Sequence, residues 1–260
     1  MLPGVFKAVK KDGTIYYRSS FTYQNKHISL GSFSTEWSAH TAYAEAGNIM
    51  SCACSIRDYS DVFTISFEKY VILINFRDSG MYFKTPIYLK QKYFYYYFSQ
   101  KEYLIFDTDD LFYYSSHKIM RRKGHLFVAD YGMQVNILSR YGIKNYGVPG
   151  KDYLFINGNS SDYRYENIQV INQYYGVSFM MQNGKELYKA TLHIHGNYLV
   201  GIYDTEIQAA IAYNKAVDIV KKHGCMKNFI TNYIDGLSPR EYAEIYSSVE
   251  ISKNITNYRQ

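Results

Sequence analysis

The strongest constraint on this chain is that it contains one pattern twice. Residues 4–50 read GVFKAVKKDGTIYYRSSFTYQNKHISLGSFSTEWSAHTAYAEAGNIM, and residues 176–220 repeat their order. Gly4-Val5 answers to Gly176-Val177, and Gly13 to Gly184. Leu30-Gly31-Ser32-Phe33 answers to Val200-Gly201-Ile202-Tyr203, Thr35-Glu36 to Thr205-Glu206, and Ala42-Tyr43 to Ala212-Tyr213. Near the end of the pattern the spacing settles at 170 residues, the interval from Thr35 to Thr205 and from Tyr43 to Tyr213. A constant offset of this kind marks an internal duplication, here of one unit separated by an insert.

The unit itself is legible. Three β-like runs lie in 5–9, 15–23 and 26–33, joined by Lys11-Asp12-Gly13 and Gln24-Asn25, both hairpin turn signals. Ser34 or Thr35 can cap the helix that follows. Trp37, Ala39, Ala42, Tyr43 and Ala46 form its stripe, and its alanines let it lie close on a small sheet. Side chains alternate along a strand. With Tyr17, Ser19 and Phe21 toward the helix, Arg18, Ser20 and Thr22 point outward. By the same count Lys189, Thr191 and His193 point outward in the second copy, with His27, Ser29, Asn197 and Leu199 on the third strands. Such residues can reach phosphates and base edges, or simply form a polar sheet face.

Both copies resemble the ethylene-response-factor (plant APETALA, AP-two/ERF) type of DNA-binding domain. The resemblance rests on Gly-Val, on Leu30-Gly31-Ser32-Phe33, on the Ala-Tyr of the helix, and, in the second copy, on Tyr188-Lys189-Ala190-Thr191-Leu192 and Lys227-Asn228-Phe229. It implies a three-stranded sheet laid in the DNA major groove with the helix behind it. The nucleic-acid contacts it implies are Lys7, Arg18, Ser20, Thr22, His27, Lys189, Thr191, His193 and Asn197. This chain departs from the plant pattern in having few arginines on that face.

The insert carries a second resemblance. Leu154-Phe155-Ile156-Asn157-Gly158-Asn159-Ser160-Ser161-Asp162-Tyr163-Arg164-Tyr165-Glu166-Asn167-Ile168 resembles the motif of HNH homing endonucleases, some of which, in phages and giant viruses, carry a domain of the first type just C-terminal. In that family an Asp-His pair stands where this chain has Leu154-Phe155. The His is the general base that makes hydroxide from water beside a divalent metal. Phe can do neither, and the upstream His-Arg-Leu element is also missing around residues 134–139. Loss of the base alone costs on the order of 10²–10⁴ in rate. The expectation is a pseudo-nuclease with no catalytic residues and no bound metal, magnesium or zinc entering only if the remnant were active. Asn157, Gly158, Asn159, Asp162, Arg164 and Asn167 are then structural.

Other stretches carry less. Asp107, Asp109 and Asp110 end a strand-like run and are read as capping the next helix, with metal binding as the alternative. His193 and His195 make an H-x-H pair without a third ligand. Residues 51–84 read as short strands or a linker. Ser238-Pro239-Arg240-Glu241 is a capping box opening a helix that packs on the last module or mediates self-association, and the tail after Ser252 is expected to fray. Cys52, Cys54 and Cys225 make no disulfide framework and are read as thiols.

Composition narrows the function classes. Apolar residues make up 47 % of 260, enough for real cores, and the net charge of +6 permits a polyanion partner. The 31 tyrosines against one tryptophan fit an AT-rich coding sequence, and also fit interfaces. No apolar run approaches the ~18 residues of a membrane span, and Met1-Leu-Pro-Gly leads straight into a strand-like run. The expectation is an intracellular protein (nucleus, cytoplasm or viral factory), without a membrane partner. Its fold class is α+β, with two three-stranded-sheet-plus-helix modules (1–51 and 173–232) flanking a degenerate HNH (ββα) centre (52–172), and a C-terminal helix and tail (233–260). The expected function is non-catalytic binding of double-stranded DNA, the two sheets contacting two half-sites or a bent duplex. The alternative is a structural, protein-interacting or RNA-interacting subunit on the same scaffold.

Overall fold

In the computed structural model, which describes residues 1–259, strands and helices are arranged in several small antiparallel sheets with helices packed on them, an α+β fold. The chain gathers into two compact units. The first comprises 1–135 and 159–165, the second 136–158 and 166–260.

In the first unit, β1 (Val5–Val9), β2 (Ile15–Tyr23) and β3 (Lys26–Phe33) form an antiparallel sheet backed by α1 (Glu36–Ser51). Gln24 and Asn25 both sit at positive φ in the two-residue turn between β2 and β3, the backbone a tight hairpin requires. Thr35 caps α1 by accepting from the Ser38 N–H. Ala39, Ala42 and Ala46 are fully buried, so the helix sits close on Ile28 and Leu30.

Residues 51–84, expected as strands or linker, instead carry a short 3-10 turn and α2 (Phe67–Ser79). The run from Tyr70 to Phe76 is buried on every side, so its apolar sequence shows no amphipathic period and mimics a strand. Ser66 caps its start, and Gly80 closes it in the left-handed conformation at φ 71°. α1 and α2 share one core through Ile49, Tyr70, Leu73, Ile74 and Phe76. Full burial is worth about 1.5–3 kcal/mol for each Leu or Ile side chain, so α2 anchors the unit.

Next come β4 (Ile87–Leu89), β5 (Tyr93–Tyr97) and β6 (Tyr103–Asp107), a second sheet, then α3 (Leu111–Ser116) and the hairpin of β7 (Ile119–Arg122) and β8 (His125–Asp130), with β9 (Met133–Asn136) completing a third sheet. Phe94, Tyr96, Leu104 and Phe106 point to the buried side of β5 and β6, against Tyr114 of α3.

In the second unit, β10 (Tyr153–Phe155) pairs with β11 (Ile168–Val170). Residues 171–176 then lead directly into β12 (Val177–Gln182), β13 (Lys185–His193) and β14 (Asn197–Tyr203), backed by α4 (Glu206–Lys222). α5 (Pro239–Ser248) begins with the expected capping box of Ser238 and Glu241 and packs on α4, where Asn214 donates to the Tyr242 hydroxyl. The tail, expected to fray, is packed down over residues 252–259. Ser252 donates its N–H to the Val200 carbonyl, and α6 (Lys253–Thr256) buries Ile255 completely, with Tyr258 nearly so. Apolar residues placed every few positions hold a terminal segment down where propensity alone would release it.

The duplication extends to fine detail. Both sheets break register at the same place, between Ser19 and Ser20 and between Ala190 and Thr191. Gly4 and Gly176 take φ values of 73° and 70°, and their carbonyls accept from the Ser20 and Thr191 N–H groups. Glu36 and Glu206 each accept one backbone N–H from the segment before β1 or β12, those of Leu2 and Gln173.

Candidate nucleic-acid interface

The register fixes which side chains share a face. On the first sheet Phe6 lies opposite Arg18 and Arg18 opposite Ser32, while Ser20 lies opposite Ser29 and Thr22 opposite His27. These residues line the side away from α1, with Ser19, Ile28 and Leu30 buried on the other. Arg18, Ser20, Thr22 and His27 are thus brought together as expected. Lys7 is not, because it pairs with Tyr17 and so lies on the helix side of the sheet, exposed at its margin. Alternation from buried Val5 already determines this: positions 5 and 7 share a face.

Two contacts order the outward face. The Arg18 guanidinium donates to the Tyr16 hydroxyl at 2.8 Å and 3.3 Å and lies over the same ring at 5.6 Å. Thr22 and His27 are 3.4 Å apart across the strands. Tyr16 was not anticipated, although it is two residues from Arg18 on one strand and therefore beside it. The arrangement holds one cationic fork above a row of hydroxyl and imidazole groups. Phosphate and base-edge recognition use such groups.

On the second sheet Ser178, Lys189 and Ile202 stand in one row, Thr191 and Leu199 in the next, then His193 and Asn197. Lys189 takes the place of Arg18. His193 and Asn197 bond at 2.9 Å, where the first copy has Thr22 and His27. The four expected residues again share a face, but Met180, Leu187, Leu199 and Ile202 share it with them. The charge differs too. The first sheet with its turns carries Lys7, Lys10, Lys11, Arg18 and Lys26 against Asp12, whereas the second carries Lys185 and Lys189 against Glu186. His195 falls beyond the end of β13, in the turn, so it does not continue the His193 row.

The HNH-like motif is divided between the units. Its hairpin belongs to the second and residues 159–165 to the first. In the hairpin, Leu154 is exposed and Phe155 lies edge-on to Tyr153 at 5.6 Å. Gly158 turns the chain at φ 74°. The Asn167 side-chain oxygen accepts the Asn157 N–H at 2.8 Å, and its backbone carbonyl accepts the Ile156 N–H. In the first unit, Asn159 accepts the Ser161 N–H at 3.0 Å. Asp162 is buried and holds Arg164 through two bonds of 2.9 Å and 2.7 Å, with the guanidinium over the Tyr93 ring. Ile105 of β6 bonds to this loop on both sides, donating to the Ser161 carbonyl and accepting from the Tyr163 N–H.

This donor set does not fit a divalent metal. Leu154 and Phe155 offer no ligand atom, and the Asp162 carboxylate is taken by a bidentate Arg. Among the described residues, no three His, Cys, Asp or Glu side chains cluster to hold a metal ion. The capping expected of the acidic run gives way to another role. Asp110 is itself helical and makes no side-chain cap bond, while Asp107 accepts the Tyr165 N–H at 2.7 Å, tying the 159–165 loop to the end of β6. Asp107 stands extended at the start of the 3-10 turn at 108–110 but makes no cap bond to it, and that turn runs without a break into α3, so Asp110 lacks the extended backbone a cap needs.

No helix among the described residues is long and apolar enough to cross a membrane. Compared with family models, curated proteins and solved structures, the chain matches none.

Proposed function

We propose that this chain is a non-catalytic double-stranded-DNA-binding protein whose first sheet makes the main contact and whose second sheet adds a weaker one. The observation that carries this reading is the outward face of the first sheet. Arg18, Ser20, Thr22 and His27 stand on adjacent strands without an acidic neighbour among them, next to a turn that carries Lys10 and Lys11. The field favours a polyanion, and the spread of donors and acceptors suits a groove floor. The HNH-like segment serves as a brace: its polar groups are engaged in turn and loop bonds, and no general base stands at Phe155.

A gel-shift of the intact chain on a duplex pool at low salt tests the reading, run beside Arg18→Ala and a plasmid-nicking assay with magnesium or manganese. The expected result is duplex binding weakened by Arg18→Ala, with intact plasmid. Failure to bind duplex sinks it, and metal-dependent nicking overturns its non-catalytic part.

A second reading is favoured by a different observation. Met180, Leu187, Leu199 and Ile202 give the second sheet an apolar outward face, which suits a protein partner better than a phosphate backbone. On this reading the chain is an interaction subunit, and a protein co-purifies with it where DNA does not.

A further inference from the structure

We infer that Cys52 and Cys54 form a redox-active pair that exchanges with a small thiol, with Cys54 as the leaving sulfur. The two are joined by a disulfide just past the end of α1, where the chain turns out of the helix and brings their Cα atoms to 5.3 Å. This differs from the thiols expected from sequence. Spacing alone does not reveal a bridge across one intervening residue, and the turn at the helix end supplies the geometry. Cys225, by contrast, is a buried thiol.

The two sulfurs have different surroundings. Cys52 is exposed and Cys54 half-buried. Arg77 of α2 sits against Cys54, its Nη1 3.3 Å from Sγ. The same guanidinium is fixed by the carbonyls of Ile49, Cys52 and Cys54 at 2.7–3.0 Å and by Asp78. A guanidinium held beside a sulfur favours its thiolate, and a stabilised thiolate is the better leaving group. The exposed sulfur is the one an incoming thiol can reach.

The exchange balances. The thiolate of glutathione or a similar small thiol attacks Cys52 Sγ, forming a new S–S bond. The Cys52–Cys54 bond breaks, and its electron pair leaves on Cys54 as a thiolate beside Arg77. A second thiolate attacks the glutathione sulfur of the mixed disulfide, releasing oxidised glutathione and a Cys52 thiolate. Two thiols are oxidised, the protein disulfide is reduced by two electrons, and solvent exchanges the protons. Oxidised glutathione runs the sequence backward.

Differential alkylation with mass spectrometry on the native full chain tests this. The expected result is a Cys52–Cys54 bridge that opens with reduced glutathione, re-forms with oxidised glutathione, and passes through a mixed disulfide at Cys52, while Cys225 stays unlabelled until denaturation. With Cys52→Ser, the alkylation rate of Cys54 levels off at a lower pH than that of Cys52 does with Cys54→Ser, a readout of the thiolate that accessibility does not move. Arg77→Lys, which keeps the charge, retains most of that difference, and Arg77→Met loses it. Both cysteines remaining free thiols in excess oxidised glutathione, a mixed disulfide only at Cys54, or alkylation that levels off at the same pH in the two serine variants would each overturn the inference.

Discussion

Gly4 and Gly176 occupy equivalent places in the two modules, yet the same substitution should cost them different amounts. Each has φ near 70°, where any side chain costs about 1–2 kcal/mol. A Cβ on Gly4 meets Tyr43 ring atoms at 2.1–2.8 Å but no backbone atom, and Tyr43 is only half-buried. A Cβ on Gly176 meets Tyr213 at 2.3 Å and the Thr191 carbonyl oxygen at 2.6 Å. Tyr213 is only 7 % exposed, and that oxygen belongs to the bulged strand β13, so neither yields cheaply. Overpacking typically adds about 1–3 kcal/mol. Gly4→Ala should therefore cost about 2 kcal/mol and Gly176→Ala about 4 kcal/mol. Gly13 gives the reference: its φ is 84° but the space beside it is open, so Gly13→Ala should cost about 1 kcal/mol. Urea titrations followed by circular dichroism, with hydrogen exchange to separate the two units, give the three values. Equal losses at all three positions, or a larger loss at Gly4 than at Gly176, would refute the argument from neighbours.

Asp162→Ala should destabilise the first unit by about 3 kcal/mol, because it leaves Arg164 without its bidentate partner in a part-buried site; urea unfolding followed by Trp37, the sole tryptophan, reports it, and a loss under 0.5 kcal/mol contradicts the bracing role. Burial pushes the Asp152 carboxyl up, but bonds from Lys144, the Val148 N–H and Asn172 outweigh this and hold it below the usual carboxylate range. Its stabilisation is thus full above the unfolded carboxylate pKa and is lost as pH falls through the lower folded value. Asp152→Asn should flatten the acid limb of the second unit's stability below about pH 4, read by hydrogen exchange, and an unchanged limb counts against this.

Local order was legible wherever the period was clean. The three strands of the first module end at the residues that alternation and turn chemistry pick out, and the 170-residue offset locates the second copy. Outward Arg18, Thr22, Lys189 and His193 follow from the same alternation. What escaped was set by tertiary packing. α2 hides its period because it is buried all round, and the tail from Ser252 is held by Ile255 and Tyr258 rather than by local preference. The apolar residues on the second sheet were readable singly, but only the pairing of Met180 with Leu187 and of Lys189 with Ile202 gathers them onto one face. The acidic run misled because its partner, the Tyr165 N–H, lies 58 residues away from Asp107.

The salt dependence of duplex binding tests the central claim most directly. If Arg18 with Lys10 and Lys11 of the β1–β2 turn neutralises about three phosphates, a plot of log affinity against log salt should fall with a slope near −3, and Arg18→Ala should bring it up by about 0.9. Fluorescence anisotropy on a labelled duplex between 50 and 200 mM salt gives both numbers. Binding whose slope does not change with Arg18→Ala, or no duplex binding at 50 mM, would contradict a first sheet that holds DNA.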